Sequence, residues 1–279
     1  MDATTASLED LIAKLFIARP DVKAIQQPGG EYFTHTRGSR ENPEYLPWSR
    51  GELTAHLAGS STFGHYLLNT DNKCKLFAFD LDLDTQGHLP TLDVSTVQDD
   101  ADAEDWRASF TPANPREAWR DRAHPARAYI KGEFMAAAIR LTREIEKLGL
   151  PTLTAYSGNK GIHVYGFTGL MEAKLVREAA LLVLYALGCE PVKGDIFWKF
   201  PTRLGEWNDL LTIELFPKQD ELDEGRFGNL MRLPLGKNLK SPDPTFFAQI
   251  EHVNMFQPVP DARAELARVL TQLQSSKLA

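Results

Sequence analysis

Apolar residues recur along this chain at two spacings, and the switches between them mark its elements. Leu8, Leu11, Ile12 and Leu15 fall at helical spacing behind Ser7, which predicts a capped helix running to about Ala18. Ser49 opens a second helix through Leu57, and strand-type runs follow at Gly64–Leu68 and Leu76–Leu83. A long amphipathic helix is predicted from Tyr129 to Leu148, carrying Ile130, Phe134, Ala138, Leu141 and Ile145 and ended by Gly149 and Pro151. An apolar run ending at Tyr156 and a β-type run from Ile162 to Phe167 flank Gly158-Asn159-Lys160-Gly161, which has hairpin chemistry. Beyond it the pattern predicts a helix from Glu172 to Leu187, stopped by Gly188. Strands at Leu211–Phe216 and Leu230–Leu233 complete the sheet, and a last helix from Asp261 to Leu273 is capped by Asp261.

Strands and helices without strict βαβ alternation indicate an α+β arrangement. There are no internal repeats and no long Gly/Ser linker, so residues 1–279 read as one domain. Its parts are an N-terminal αβ portion to about residue 70 and a core over about 71–245, followed by a helical C-terminal portion over 246–279. The core contains a polar insertion at 85–128. Residues 20–50 are rich in Gly, Pro and Arg, with Tyr32, Phe33, Tyr45 and Trp48 interspersed. They read either as a nucleic-acid contact surface or as an ordinary loop layer.

The densest chemistry lies in Phe77-Ala78-Phe79-Asp80-Leu81-Asp82-Leu83-Asp84. Its carboxylates alternate with apolar residues at the two-residue period of a strand. Asp80 and Asp82 therefore share a face, their Cα atoms roughly 6.6 Å apart at about 3.3 Å per residue. Two readings follow: a pair of divalent cations held on that face, or an acidic edge strand facing water. Asp84 points the same way but is two residues further along.

In Ser157-Gly158-Asn159-Lys160-Gly161-Ile162-His163-Val164-Tyr165, a hydroxyl, a fixed cation and an imidazole gather around a glycine-rich turn. Ile162 and Val164 face the core, while His163 and Tyr165 share the opposite face. That set suits a polyphosphate, although it lacks the spacing of a Walker A loop. Its other reading is a surface hairpin.

Together, an hhhDhDhD strand and S-G-x-K-G-x-H-h-Y resemble the first two motifs of the archaeo-eukaryotic primase superfamily. Members include primase-polymerases and the polymerase domains of bacterial end-joining ligases. His56-Leu57-Ala58-Gly59, Phe63-Gly64-His65-Tyr66 and Asp71-Asn72-Lys73-Cys74 extend the likeness upstream. Ile213-Glu214-Leu215-Phe216-Pro217-Lys218-Gln219 and the segment from Gly228 to Gly236 extend it downstream. This set is similar to primase domains of TOTE-type conflict systems and to CRISPR-associated primase-polymerases, from about residue 50 to 240.

The resemblance implies an archaeo-eukaryotic primase fold, an N-terminal αβ subdomain packed on an RRM-like catalytic subdomain with the site in the cleft between them. It implies Asp80 and Asp82 as ligands of two Mg²⁺ or Mn²⁺ ions, whose hard character suits carboxylates. Glu214 is the expected third acid, where the family commonly has aspartate, and Asp195 is its competitor. Ser157, Lys160 and His163 are expected to bind the triphosphate. Arg232 and Lys237 are expected to contact triphosphate or template, with an ion pair to a site carboxylate as the other reading of Arg232. Tyr66 is placed near the sugar. The implied activity is that of a DNA primase-polymerase copying single-stranded DNA from NTPs or dNTPs. Alternatives are a repair polymerase that only extends primers, a non-catalytic nucleotide- and metal-binding module, and a metal-dependent nuclease. A primer-template, a helicase and CRISPR adaptation proteins are the candidate partners.

Composition adjusts this picture only slightly. A net charge of −7 argues against indiscriminate nucleic-acid binding. Five acids fall in the seven residues from Asp99 to Asp105, whereas Lys160, Lys193, Lys199, Arg203, Lys218, Arg226, Arg232, Lys237 and Lys240 recur around the expected site. Cys74 and Cys189 supply neither a disulfide framework nor a zinc site and read as core thiols. An acidic start without a signal-peptide core, and no apolar stretch long enough to span a bilayer, predict a cytoplasmic protein with no membrane partner.

Overall fold

A computed structural model describes residues 3, 5–39, 41–84, 115–124, 126–201, 207–250 and 257–276. The chain begins with α1 (Leu8–Phe16), β1 (Ala24–Gln26), β2 (Tyr32–Thr34), β3 (Thr36–Gly38), β4 (Pro43–Tyr45), α2 (Arg50–Leu57) and β5 (Phe63–Tyr66). Next come β6 (Lys73–Leu83), α3 (Pro115–Arg120), α4 (Ala126–Lys147), β7 (Thr152–Tyr156), β8 (Gly161–Glu172) and α5 (Ala173–Ala186). It ends with β9 (Glu190–Lys193), β10 (Phe197–Pro201), β11 (Trp207–Phe216), β12 (Leu230–Arg232), β13 (Phe246–Phe247) and α6 (Ala262–Ser276).

The helix starts follow from their caps. Ser7 Oγ accepts from the Asp10 N–H at 3.2 Å while the Asp10 carboxylate accepts from the Ser7 N–H at 3.3 Å. Ser49 and Glu52 repeat the exchange at the head of α2. Asp261 Oδ1 accepts from the N–H groups of Arg263 and Ala264, opening α6. Gly188, at φ 72°, ends α5 in the left-handed conformation that glycine adopts without strain.

Seven strands form one antiparallel sheet in the order β13-β7-β8-β6-β11-β10-β9. Its centre is a βαββαβ unit running β6-α4-β7-β8-α5-β11, with the first strand lying between the third and the last. This is the RRM-like arrangement expected from the resemblance, and the fold is α+β. Helices α4 and α5 pack on the sheet, as do α1 and α6. Phe77, Phe79, Leu81 and Leu83 of β6 are fully buried. Opposite Phe77 stands Gly166, where a Cβ would lie 2.3 Å from the phenylalanine ring. Tyr165 is buried too, its ring meeting Phe16 of α1 edge-on at 5.2 Å. β8 is therefore covered on both faces near the site, and its histidine is no surface residue.

Three expectations are corrected. Residues 20–50 are not a loop layer: they supply β1 to β4, and β1 and β2 join a second, four-stranded sheet ordered β12-β5-β1-β2. β12 belongs to that smaller sheet and not to the large one, because it pairs with β5. Of the polar insertion, residues 85–114, including the acidic run, lie outside the described residues, but its end forms α3 and the start of α4. Both cysteines are buried free thiols, as expected.

His56 of α2 binds the small sheet at β5 and just past β12. Its Nδ1 accepts from the Phe63 N–H at 3.1 Å, so the proton sits on Nε2, which faces the carbonyls of Leu233 (3.1 Å) and Pro234 (3.0 Å). Burial holds His56 down at about 4 and His65 at about 3, from an ordinary 6.5. On acidification the unfolded chain takes up protons before the folded one does. Stability present above pH about 6.5 is therefore lost as pH falls toward about 4. Denaturant unfolding is expected to give a lower midpoint at pH 5 than at pH 7, with a smaller difference in His65→Leu. Equal midpoints in the native chain would contradict this.

Candidate active site

The pairing of β11, β6 and β8 puts Glu214, Asp80 and His163 directly abreast. The next row on the same face is Thr212, Asp82 and Gly161. Directly opposed side chains begin about 4.5–5.5 Å apart at Cβ, so the first row converges by register alone. Burial raises the Asp80 carboxyl well above the usual carboxylate range, and the charges of Asp82 and Glu214 raise it further. The two outer carboxylates each rest on a lysine. Lys160 Nζ is 3.1 Å from Asp82 Oδ2, and Lys218 pairs with Glu214.

His163 Nε2 lies 3.4 Å from Asp80 Oδ1, and its Nδ1 is 2.9 Å from Tyr165 Oη. Burial pushes the histidine down to about 3 and the tyrosine up, so both are neutral at pH 7. Among the described residues the phenol's hydrogen-bond partner is Nδ1, to which it donates. The ring proton then sits on Nε2, facing the carboxylates.

The β7–β8 hairpin forms the adjoining wall. The Ser157 N–H donates to the Gly161 carbonyl at 3.0 Å, and the Gly161 N–H donates to Ser157 Oγ at 3.2 Å. Gly158 takes φ 72° in the turn. The Asn159 carbonyl accepts from Tyr156 Oη (2.8 Å) and from Trp119 Nε1 of α3 (2.9 Å), which steadies the tip. The Ser157 carbonyl accepts from Arg232 Nη2 at 2.6 Å and Asn238 Nδ2 at 3.0 Å. Arg232 thus docks on the hairpin backbone and keeps its remaining N–H groups for other acceptors.

These walls enclose a cleft of about 300 Å³. Asp80, Asp82, Ser157, Lys160, His163 and Arg232 line it, together with Gln26, Tyr32, Asn238 and Lys240. Lys237 is not brought in: it is exposed, and its backbone carbonyl accepts from Thr62 Oγ1. Lys240, three residues on, lines the cleft instead. Tyr66 points into a small apolar cluster with Val22 and Ala24, its hydroxyl bonded to Thr34 at 2.8 Å. Asp195 is held by Arg177 at 2.5 Å, an arginine that also binds Asp220 at 2.7 Å. Arg203 lies outside the described residues. Sequence reasoning missed Gln26 and Asn238, which stand in a short strand and a loop without a readable period, and named Tyr32 only as part of a possible contact surface.

The donor set fits hard divalent cations. Its oxygens lie on one face of adjacent strands, and Gly161 keeps the space beside them clear. A Cβ there would lie 2.4 Å from Asp82 Oδ1 and 3.5 Å from Asp80 Oδ1. Among the described residues no three His, Cys, Asp or Glu side chains are already drawn into a closed ligand set. The lysines hold the outer carboxylates instead.

The profile of the archaeo-eukaryotic primase domain of TOTE conflict systems matches residues 10–188 and 203–278. The chain belongs to that family. Primase- and polymerase-type nucleotidyl transfer is the family's chemistry. No curated protein matches the sequence. A solved structure similar to this primase domain is the polymerase domain of Mycobacterium tuberculosis ligase D in complex with DNA. It is 11% identical, with a TM-score of 0.45, over 94% of this chain and 84% of that one. No described helix of the primase domain is long and apolar enough to cross a membrane.

Because Asp80 is buried among like charges, Asp80→Asn is expected to raise the thermal midpoint of the metal-free protein while abolishing nucleotidyl transfer. Asp195→Ala is expected to do the reverse, lowering the midpoint and leaving transfer in place. Calorimetry in EDTA beside an incorporation assay checks both, and an inactive but fully stable Asp195→Ala would contradict the assignment.

Proposed function

We propose that this domain is a DNA primase-polymerase that copies single-stranded DNA from NTPs or dNTPs. The observation that carries the reading is the row Glu214–Asp80–His163 beside Asp82 and the Ser157–Lys160 hairpin, of which all but Glu214 line one cleft. A nuclease would use the carboxylates but has no need of a polyphosphate cradle beside them.

In this reading Asp80, Asp82 and Glu214 would hold two Mg²⁺ or Mn²⁺ ions. When bound, such ions neutralise charge on the transferring phosphoryl group and the leaving pyrophosphate. The chain's own groups bind and orient. Ser157 Oγ, Lys160 Nζ and the Nε2–H of His163 present donors to phosphate oxygens from one wall, and the free N–H groups of Arg232 do so from the other. His163 contributes as a neutral donor fixed by Tyr165, so it orients a phosphate without adding charge beside Asp80. Residues 1–279 act as one catalytic domain, the small sheet closing the cleft over the large one.

The test is incubation of unprimed and primed single-stranded DNA with labelled NTPs or dNTPs and Mn²⁺. Synthesis on both templates supports the primase reading. Synthesis on primed template alone reduces it to a primer-extending polymerase, and nucleotide binding without synthesis to a binding module. Asp82→Ala is expected to abolish incorporation with the fold intact, and wild-type incorporation at saturating Mn²⁺ would sink the metal assignment. For His163→Ala, nucleotide affinity is expected to fall more than affinity for single-stranded DNA. Equal losses for the two ligands would remove it from the nucleotide site.

A further inference from the structure

The end of the polar insertion is built against the β7–β8 hairpin, and no role above uses it. Trp119 of α3 is only 7% exposed. Its ring meets Phe134 of α4 at 5.6 Å between centroids, and the Arg127 guanidinium lies 5.0 Å from its centre. Held in that way, the indole donates its N–H to the Asn159 carbonyl at 2.9 Å. That oxygen belongs to the peptide unit leading into Lys160. Because the unit is planar, fixing its oxygen fixes the direction in which Lys160 leaves the turn.

The neighbouring carbonyls are held from elsewhere. That of Ser157 accepts from Arg232 and Asn238, that of Lys160 from the Leu83 N–H at 3.1 Å, and that of Gly161 from the Ser157 N–H. At Gly158 the turn lies hard against the segment after Asn238: a Cβ there would be 2.9 Å from both the Asp243 carbonyl and Thr245 Cγ2. The bond from α3 completes the grip at the residue just before the lysine. The Tyr156 hydroxyl donates to the same oxygen at 2.8 Å, so losing the indole N–H loosens the peptide without leaving its carbonyl bare. A second tie from this stretch, Arg122 to Asp243, joins an exposed arginine and contributes little.

We propose that Trp119 is a positioning residue for nucleotide binding. Its indole N–H fixes the peptide plane that enters Lys160, and so holds that ammonium on the wall of the cleft, 3.1 Å from Asp82. This rests on the nucleotide reading of the cleft. A lysine carries its charge on a flexible four-carbon stem, so its placement depends on the backbone it leaves from.

Calorimetric titration of ATP with Mn²⁺ tests this in the wild type, Trp119→Phe, Lys160→Ala, the double variant and Arg122→Ala. Phenylalanine keeps a ring beside Phe134 and Arg127 and removes the donor. Trp119→Phe is expected to weaken ATP binding about threefold to tenfold, the worth of one neutral hydrogen bond. In the Lys160→Ala background the same change is expected to cost nothing, because the two residues act as a unit, whereas a general loosening costs the same in both backgrounds. Arg122→Ala is expected to bind as the wild type does. Unchanged affinity in Trp119→Phe overturns the proposal. So does an equal loss with and without Lys160, which would make the indole merely structural. A loss in Arg122→Ala as large as in Trp119→Phe overturns it too, since the docking of α3 as a whole would then set the hairpin. A wild type that binds ATP but synthesises no strand sinks the polymerase reading and leaves the positioning role standing. A wild type that binds no nucleotide sinks both.

Discussion

The repulsion among Asp80, Asp82 and Glu214 is the constraint around which the molecule is organised. Strand register sets three carboxylates on one face, and the central one, half-buried between its two neighbours, has its charged form disfavoured. A fold meets such a site only by over-determining it. β6 is gripped on both edges along its length, by β8 and β11, and its alternate residues Phe77, Phe79, Leu81 and Leu83 are locked in the core. The apolar half of the strand supplies the stability that holds the acidic half in place. Lys160 and Lys218 then stand where cationic charge is needed, one from the hairpin and one from beyond the end of β11.

The second organising feature is that β12 leaves the large sheet. From the smaller sheet Arg232 still bears on the carboxylates, its charge partly offsetting the rise at Asp80. Paired with β5 it approaches from the opposing wall and spends one N–H group on the Ser157 carbonyl. His56 fixes the chain just past this point by binding the Leu233 and Pro234 carbonyls, and Gly236 admits the imidazole: a Cβ there would lie 2.0 Å from its ring. The conspicuous His56 motif is therefore architectural, tying α2 to β5 and to the chain leaving β12 within the small sheet.

What the sequence made legible follows from which residues carry a period. Asp80 and Asp82 were readable because alternation over a long strand fixes a face, and Glu214 because Ile213 and Leu215 bury the other face of its strand. The hairpin was readable from its turn residues. Which sheet a three-residue strand joins was not, since β12 is too short for pattern to name a partner. The choice between Lys237 and Lys240 was equally hidden. Both lie in a loop, and Lys240 reaches the cleft only through a glycine about 210 residues away in sequence. Asp195 competed with Glu214 in the sequence, and the Arg177 that pairs with it is a helical residue with no mark in the pattern.

The charge distribution gains meaning from these contacts. Outside the cleft, several exposed arginines are committed to acids: Arg37 to Glu44 at 2.6 Å, Arg268 to Glu265 at 2.9 Å, and Arg122 to Asp243. Such pairs add little stability, but they remove cations from the pool that would grip a phosphate backbone indiscriminately. Inside the cleft, Arg232 and Lys240 face no carboxylate partner among the described residues, and Lys160 shares its charge with Asp82. In a chain of net charge −7, these three cations stand together in one small volume. That favours a compact, highly charged anion such as a nucleotide over the long backbone of a polymer.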